Sequence, residues 1–115
     1  MPRILTRFIE EPQVFACATC KTHLSTEKNI ISKDFTTQNG RGFLINKMIN
    51  VTNGPPENRN LITGMHTCRD VYCVTCDTAV GWEYVKAFEK TQKYKVGNFV
   101  LDTTRTIQYH WESVD

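Results

Sequence analysis

Two C-x2-C pairs constrain this chain more than any other feature: Cys17 with Cys20, and Cys73 with Cys76, separated by residues 21–72. Each pair spans a tight turn whose two sulfurs converge. Two such knuckles supply the four thiolates that close a tetrahedral structural zinc site, with Zn–S bonds of about 2.3 Å. One pair alone reads equally as a redox couple. Disulfides and iron–sulfur clusters also draw on the same residue type. Two pairs in so small a chain favour a single structural zinc ion held by Cys17, Cys20, Cys73 and Cys76. The chain has five cysteines, an odd number, and its opening Met-Pro-Arg-Ile-Leu-Thr-Arg-Phe lacks the apolar core of a signal peptide. Both features predict a reducing compartment, cytosol or nucleus.

Composition narrows the partners. The chain has 115 residues, a single-domain length, with 40% hydrophobic and 23% charged residues. Net charge is only +2 and there is no Lys/Arg run, so nothing electrostatic argues for nucleic acid as the partner. No stretch approaches the roughly 18 apolar residues that span a membrane.

Short, turn-punctuated segments predict an all-β or β-dominated fold. Val14-Phe15-Ala16 reads as a strand delivering Cys17, and Thr22-His23-Leu24-Ser25 as turn-like. Asn39-Gly40 is the strongest hairpin signal. Phe43 to Val51 reads as one strand with a bend, and Asn53 to Asn60 as loop, because Pro55-Pro56 removes two ladder donors. On a strand over Met65–Tyr72, the residues His66, Cys68, Asp70 and Tyr72 share one face. A partner strand over Ala79–Val85 places Trp82 and Tyr84 together. Lys86–Lys95 is polar and suits a single helical turn, and Gly97–Thr103 closes as the last strand. No internal repeat is evident. The expected layout is an N-terminal extension over 1–13, a domain over 14–104 and a loosely held tail over 105–115.

The order Cys17-x2-Cys20, His23-Leu24, Gly42-Phe43-Leu44, Asn50-Val51, Thr63-Gly64-x-His66, Asp70, Cys73-x2-Cys76, Gly81-Trp82-x-Tyr84 and Gln92-Lys93-Tyr94-Lys95-x-Gly97 resembles the Yippee-like proteins from about Phe15 to Asp102. Glu83 stands where that family usually carries Lys, Asp102 where Glu is common, and Cys68 is an additional thiol. The resemblance implies a β-tent: two antiparallel sheets joined by one four-cysteine zinc site, as in the thalidomide-binding domain of cereblon, in Mis18 and in methionine-R-sulfoxide reductases. Cereblon's domain cages its ligand between three tryptophans. Trp82 matches one of them, and the other two have no counterpart, the remaining tryptophan being Trp111. The resemblance further implies protein partners in the nucleus and cytoplasm, in a multi-subunit ubiquitin ligase of the GID/CTLH type or in the mitotic apparatus.

Three functional readings follow. The first is a non-enzymatic zinc-stabilised interaction module whose binding face comprises Trp82, Tyr84, Tyr72, His66 and Cys68. Aromatic rings with a few polar tips suit a peptide or a small ring. The second is a methionine-sulfoxide reductase relative, which needs a reactive thiolate apart from the metal ligands. Only Cys68 is left for that role, since no cysteine follows Cys76. The third is a zinc nucleic-acid-binding domain. His23 is expected in a supporting position beside the knuckle, not as a ligand.

Overall fold

The computed structural model describes residue 7 and residues 9–110, without the side chains of 109 and 110. Its ten strands are β1 (Gln13–Cys17), β2 (His23–Thr26), β3 (Ile30–Thr37), β4 (Gly40–Ile45), β5 (Val51–Asn53), β6 (Glu57–Leu61), β7 (Gly64–Cys73), β8 (Ala79–Ala87), β9 (Phe99–Asp102) and β10 (Thr106–His110). They form a three-stranded sheet ordered β10-β1-β2 and a seven-stranded sheet ordered β3-β4-β9-β8-β7-β5, with β6 also on β7. All ladders are antiparallel. The all-β expectation of two antiparallel sheets is met. A 3-10 helix over Lys90–Lys95 occupies the polar segment where a helical turn is predicted.

Strands β4 and β9 are buried on both faces at Leu44-Ile45 and Val100-Leu101, which is why those stretches run apolar without alternation. Ile45 and Leu101 pack between the sheets with Phe15, Leu24, Val71 and Val80. Their neighbours Leu44 and Val100 point to the opposite face, where they meet Cys68 and Tyr84, with Phe35, Leu61 and Trp82 packed alongside. Successive strand residues face opposite ways, so two adjacent apolar residues serve two cores.

Four sequence expectations are corrected. Within the expected tail, residues 106–110 are not loose: β10 pairs with β1 from Gln13↔His110 to Cys17↔Thr106, which satisfies the edge of β1 left open by β2. Thr22–Ser25 is not a turn beyond its first residue, since β2 begins at His23 and is buried throughout. Phe43–Val51 is two strands in different parts of the sheet: β4 lies between β3 and β9, while β5 lies on β7. Asn50, at φ 59°, makes the break. Finally, the double proline interrupts only the connection before β6, which pairs with β7 from Glu57↔Cys68 to Leu61↔Gly64. Residues beyond the prolines recover their N–H donors, so the restriction does not propagate. Trp111 lies outside the described residues.

Gly81 shows how closely β8 and β9 approach. A Cβ added there would sit 1.9 Å from the Val100 carbonyl oxygen, a clash with backbone that no side-chain rotation relieves. Gly81→Ala should therefore destabilise the domain by about 3 kcal/mol or more, at or beyond the upper end of ordinary overpacking. Denaturant titration checks this, and a midpoint within error of wild type would show that the strands separate cheaply.

Candidate metal centre and adjoining cavity

The two knuckles are hairpin tips belonging to different sheets. The first joins β1 to β2 in the small sheet, and the second joins β7 to β8 in the large one. Folding the sheets face to face brings the Sγ atoms of Cys17, Cys20, Cys73 and Cys76 within 4.8 Å of one another. Cys17 Sγ lies 3.5 Å from Cys76 Sγ, and Cys20 Sγ lies 3.5 Å from Cys73 Sγ. These spacings are far from a disulfide's roughly 2.05 Å. They approach the edge of about 3.8 Å that a tetrahedron with 2.3 Å metal–sulfur bonds requires. All five cysteines are free thiols. The donor set fits a zinc ion: four soft sulfurs, two from each sheet.

The knuckles are also copies of one another, and here the expectation of no repeat fails. Residues 17–22 and 73–78 both read Cys-x-Thr-Cys-x-Thr. In each, the first cysteine's N–H donates to the last threonine's carbonyl, Cys17 to Thr22 at 2.9 Å and Cys73 to Thr78 at 2.8 Å. In each, the fifth residue's N–H returns to the first cysteine's carbonyl at 2.8 Å, from Lys21 and from Asp77. That return needs a left-handed backbone, at φ 66° for Lys21 and 60° for Asp77. The last threonine's hydroxyl lies 3.1 Å from the second cysteine's sulfur, Thr22 on Cys20 and Thr78 on Cys76. Hydroxyls then cross between the copies, Thr22 to Thr75 at 2.9 Å and Thr78 to Thr19 at 3.2 Å. The Thr78 contact is the main reason the Cys76 thiol is drawn down to about 6, a favourable position for a thiolate ligand. These four threonines were legible in the hexapeptide repeat, which a reading confined to cysteine spacing passes over.

Asn50 ties the knuckles from outside. Its side-chain amide donates to the His23 carbonyl at 2.7 Å, and its own carbonyl accepts from Val74 N–H at 2.9 Å. His23 stands beside the cluster without belonging to it: its Nδ1 accepts from Ile9 N–H at 3.0 Å, and burial lowers its pKa.

On the opposite face of the large sheet lies an open cavity of about 850 Å³. Trp82 and Tyr84 line it together with Phe35, Leu61, Arg59 and Lys95. The predicted five-residue face is thus divided. Trp82 is half-buried and packs edge-on against Tyr84, with ring centroids 6.2 Å apart. His66 and Cys68 are wholly buried beneath, His66 against Tyr84 at 5.3 Å and with Nδ1 2.9 Å from the Gly64 carbonyl. Tyr72 lies lower on β7, where the space beside its ring is taken by Gly54 of the β5–β6 connection. Burial raises the Cys68 thiol and pushes Tyr84 up to about 12. Asp70 is held by Arg59 at 2.9 Å and forms no dyad with His66. Glu83 pairs with Arg69 at 2.7 Å.

Comparison with known proteins places this architecture. The family model described as Yippee zinc-binding/DNA-binding/Mis18, centromere assembly, matches residues 13–115. The chain belongs to the Yippee–Mis18 family. A yippee-like protein of Solanum tuberosum is 43% identical over 109 residues, covering 91% of this chain and 84% of that protein. One from Arabidopsis thaliana is 49% identical over 92 residues, covering 80% and 76%. Human yippee-like 3 is 42% identical over 94 residues, covering 82% and 79%. The crystal structure of the Mis18 Yippee-like domain superposes with a TM-score of 0.69, over 90% of this chain and all of that one, at 12% identity. At that identity the likeness speaks for the fold alone. The Yippee–Mis18 match takes in β10, consistent with its place in the small sheet.

The metal centre generates two predictions. Structural zinc contributes on the order of 10 kcal/mol, comparable with the whole stability of a small domain. Chelation, or Cys73→Ser, should therefore abolish the cooperative thermal transition; a metal-free sample that still melts cooperatively would refute a structural ion. Thr78→Val should be milder, keeping the fold while lowering zinc affinity about 10- to 100-fold, as loss of a ligand's supporting hydrogen bond does. Competition with a chromophoric chelator measures it.

Proposed function

We propose that this Yippee–Mis18 protein is a non-enzymatic recognition module, held together by one structural zinc ion and binding a protein partner at the Trp82 cavity. The observation that carries the reading is the pairing of a four-thiol centre with an aromatic-walled cavity on the far side of the same sheet. Bound zinc supplies structural closure: with Cys17, Cys20, Cys73 and Cys76 as ligands, a tetrahedral ion keeps no position for water or substrate. Thr22 and Thr78 orient two of the thiolates, and β1, β2, β7 and β8 carry the load into both sheets.

The reductase alternative is disfavoured by the state of its only candidate nucleophile. Cys68 is fully buried and its thiol is shifted upward by burial, so it is neither accessible nor thiolate-rich. A nucleic-acid role draws on the DNA-binding wording of the family description, but a net charge of +2 gives it little electrostatic support. Family likeness favours an assembly partner in the nucleus or cytoplasm. A GID/CTLH-type ubiquitin ligase or a mitotic assembly is the first place to look, the latter in keeping with the centromere wording of the family description.

Trp82→Ala tests the cavity. Truncating an aromatic anchor at an interface costs about 2 kcal/mol or more of binding. Trp82 is only half-buried, so its loss should cost less stability than the roughly 3–5 kcal/mol of a fully buried aromatic. Quantitative affinity capture by wild type and Trp82→Ala, with a melting curve for each, should show partners lost from a folded variant. Retention of the same partners would remove the cavity from the proposal.

A further inference from the structure

Lys95 is the unusual residue of this cavity. It is 4% exposed, yet no carboxylate pairs with it among the described residues. Its Nζ donates to Thr63 Oγ1 at 3.0 Å and lies 5.2 Å from the Phe35 ring centroid and 5.4 Å from that of Tyr84. Two aromatic faces and one hydroxyl are an incomplete replacement for water around an ammonium, which has three N–H donors. Burying such a charge without a counter-ion is costly, and burial lowers the lysine's pKa accordingly.

Three of the four acids lining the cavity are engaged elsewhere. Glu57 and Asp70 face Arg59, at 2.6 and 2.9 Å. Asp102 accepts from Asn39 at 3.1 Å and from Thr104 at 2.7 and 2.9 Å. Asp34 also lines the cavity and forms no ion pair. A second donor sits on the other neighbour of Tyr84: the Trp82 indole N–H is buried and makes no hydrogen bond of ordinary geometry, although its closeness to the Tyr84 hydroxyl works against the burial that raises that group's pKa. The cavity therefore offers one buried cation without a counter-ion and one buried indole donor, both beside Tyr84; Arg105, also without an ion pair among the described residues, lines the cavity as an exposed side chain.

We propose that this cavity binds a peptide carboxylate beside an apolar side chain, with Lys95 as the anchoring cation and the Trp82 indole N–H as the second donor; this rests on the reading of the cavity as the recognition site. A singly charged carboxylate fits better than phosphate. Four acidic side chains, Asp34, Glu57, Asp70 and Asp102, line the same cavity, and they repel a dianion more strongly than a monoanion.

The test follows the Trp82 indole N–H resonance by NMR, distinguished from that of Trp111, during titration with three short peptides. The first is N-acetyl-Ala-Phe with a free C-terminus, the second its C-terminal amide, and the third N-acetyl-Phe-Glu amide. The proposal expects a saturable shift with at least one of the two acids and at least tenfold weaker binding of the neutral amide. The two acids separate a terminal from a side-chain carboxylate. Lys95→Met, similar in length and uncharged, should erase the difference between acid and amide. The comparison of acid with amide is made on wild type, so it decides the matter even if Lys95→Met fails to fold. Equal binding of acid and amide, lost in Trp82→Ala when both proteins are titrated by calorimetry, would keep the recognition cavity and overturn the carboxylate. No shift with either acid overturns the carboxylate as well, and unchanged partner capture by Trp82→Ala alongside it would remove the cavity too. Undiminished acid binding by folded Lys95→Met would also overturn the role of Lys95.

Discussion

Everything in this fold hangs on the meeting of two hairpin tips. The β1–β2 and β7–β8 turns come from sheets that share no backbone hydrogen-bond ladder, and the four sulfurs are where those sheets are fastened. The apolar layer between them is modest, built on Phe15 and Leu24 from one side and Ile45, Val71, Val80 and Leu101 from the other. Domains of this size are only marginally stable, by about 5–15 kcal/mol. A zinc ion held by the four sulfurs would change that balance by an amount comparable with the whole.

The repeated hexapeptide explains how two unrelated stretches reach the same geometry. Each knuckle must turn the chain through a left-handed residue, cap its own first cysteine and present a hydroxyl to its second sulfur. Lys21 and Asp77, with no sequence likeness to each other, occupy the left-handed position because the paired backbone hydrogen bonds compensate the strain. The threonine hydroxyls that cross between knuckles bind the two turns into one unit independently of the cysteines.

The large sheet has two faces with different surroundings. Its inner face joins the core shared with the small sheet, while its outer face carries Tyr84 and Trp82 beside an open cavity to which the 3-10 helix adds Lys95. Alternation along each strand lets neighbouring residues serve opposite purposes: Gly81 admits the close approach of β9, and Trp82 beside it faces the cavity. Change at the cavity need not disturb the sulfurs, because the two lie on opposite faces of the sheet.

Much of this was legible in the residues. Cysteine spacing indicates the metal cluster, Asn39-Gly40 marks the β3–β4 hairpin, and the Gly81-Trp82 context with the two knuckles points to the family. These signals are local, because a knuckle, a turn or a motif is encoded in a few adjacent residues. Other features had no local signal. Residues 106–110 look like part of a tail until the open edge of β1 recruits them as β10. His66 and Cys68 share a strand face with Tyr72, but only the packing of Tyr84 and the β5–β6 connection decides which of them reach solvent. Lys95 lies in a polar run that suggests an exposed helical turn; Phe35, Thr63 and Tyr84, from three distant segments, enclose its ammonium. Sequence fixes which groups are present and how neighbours alternate. Burial is a property of what the rest of the chain places on top of them, and only the tertiary structure decides it.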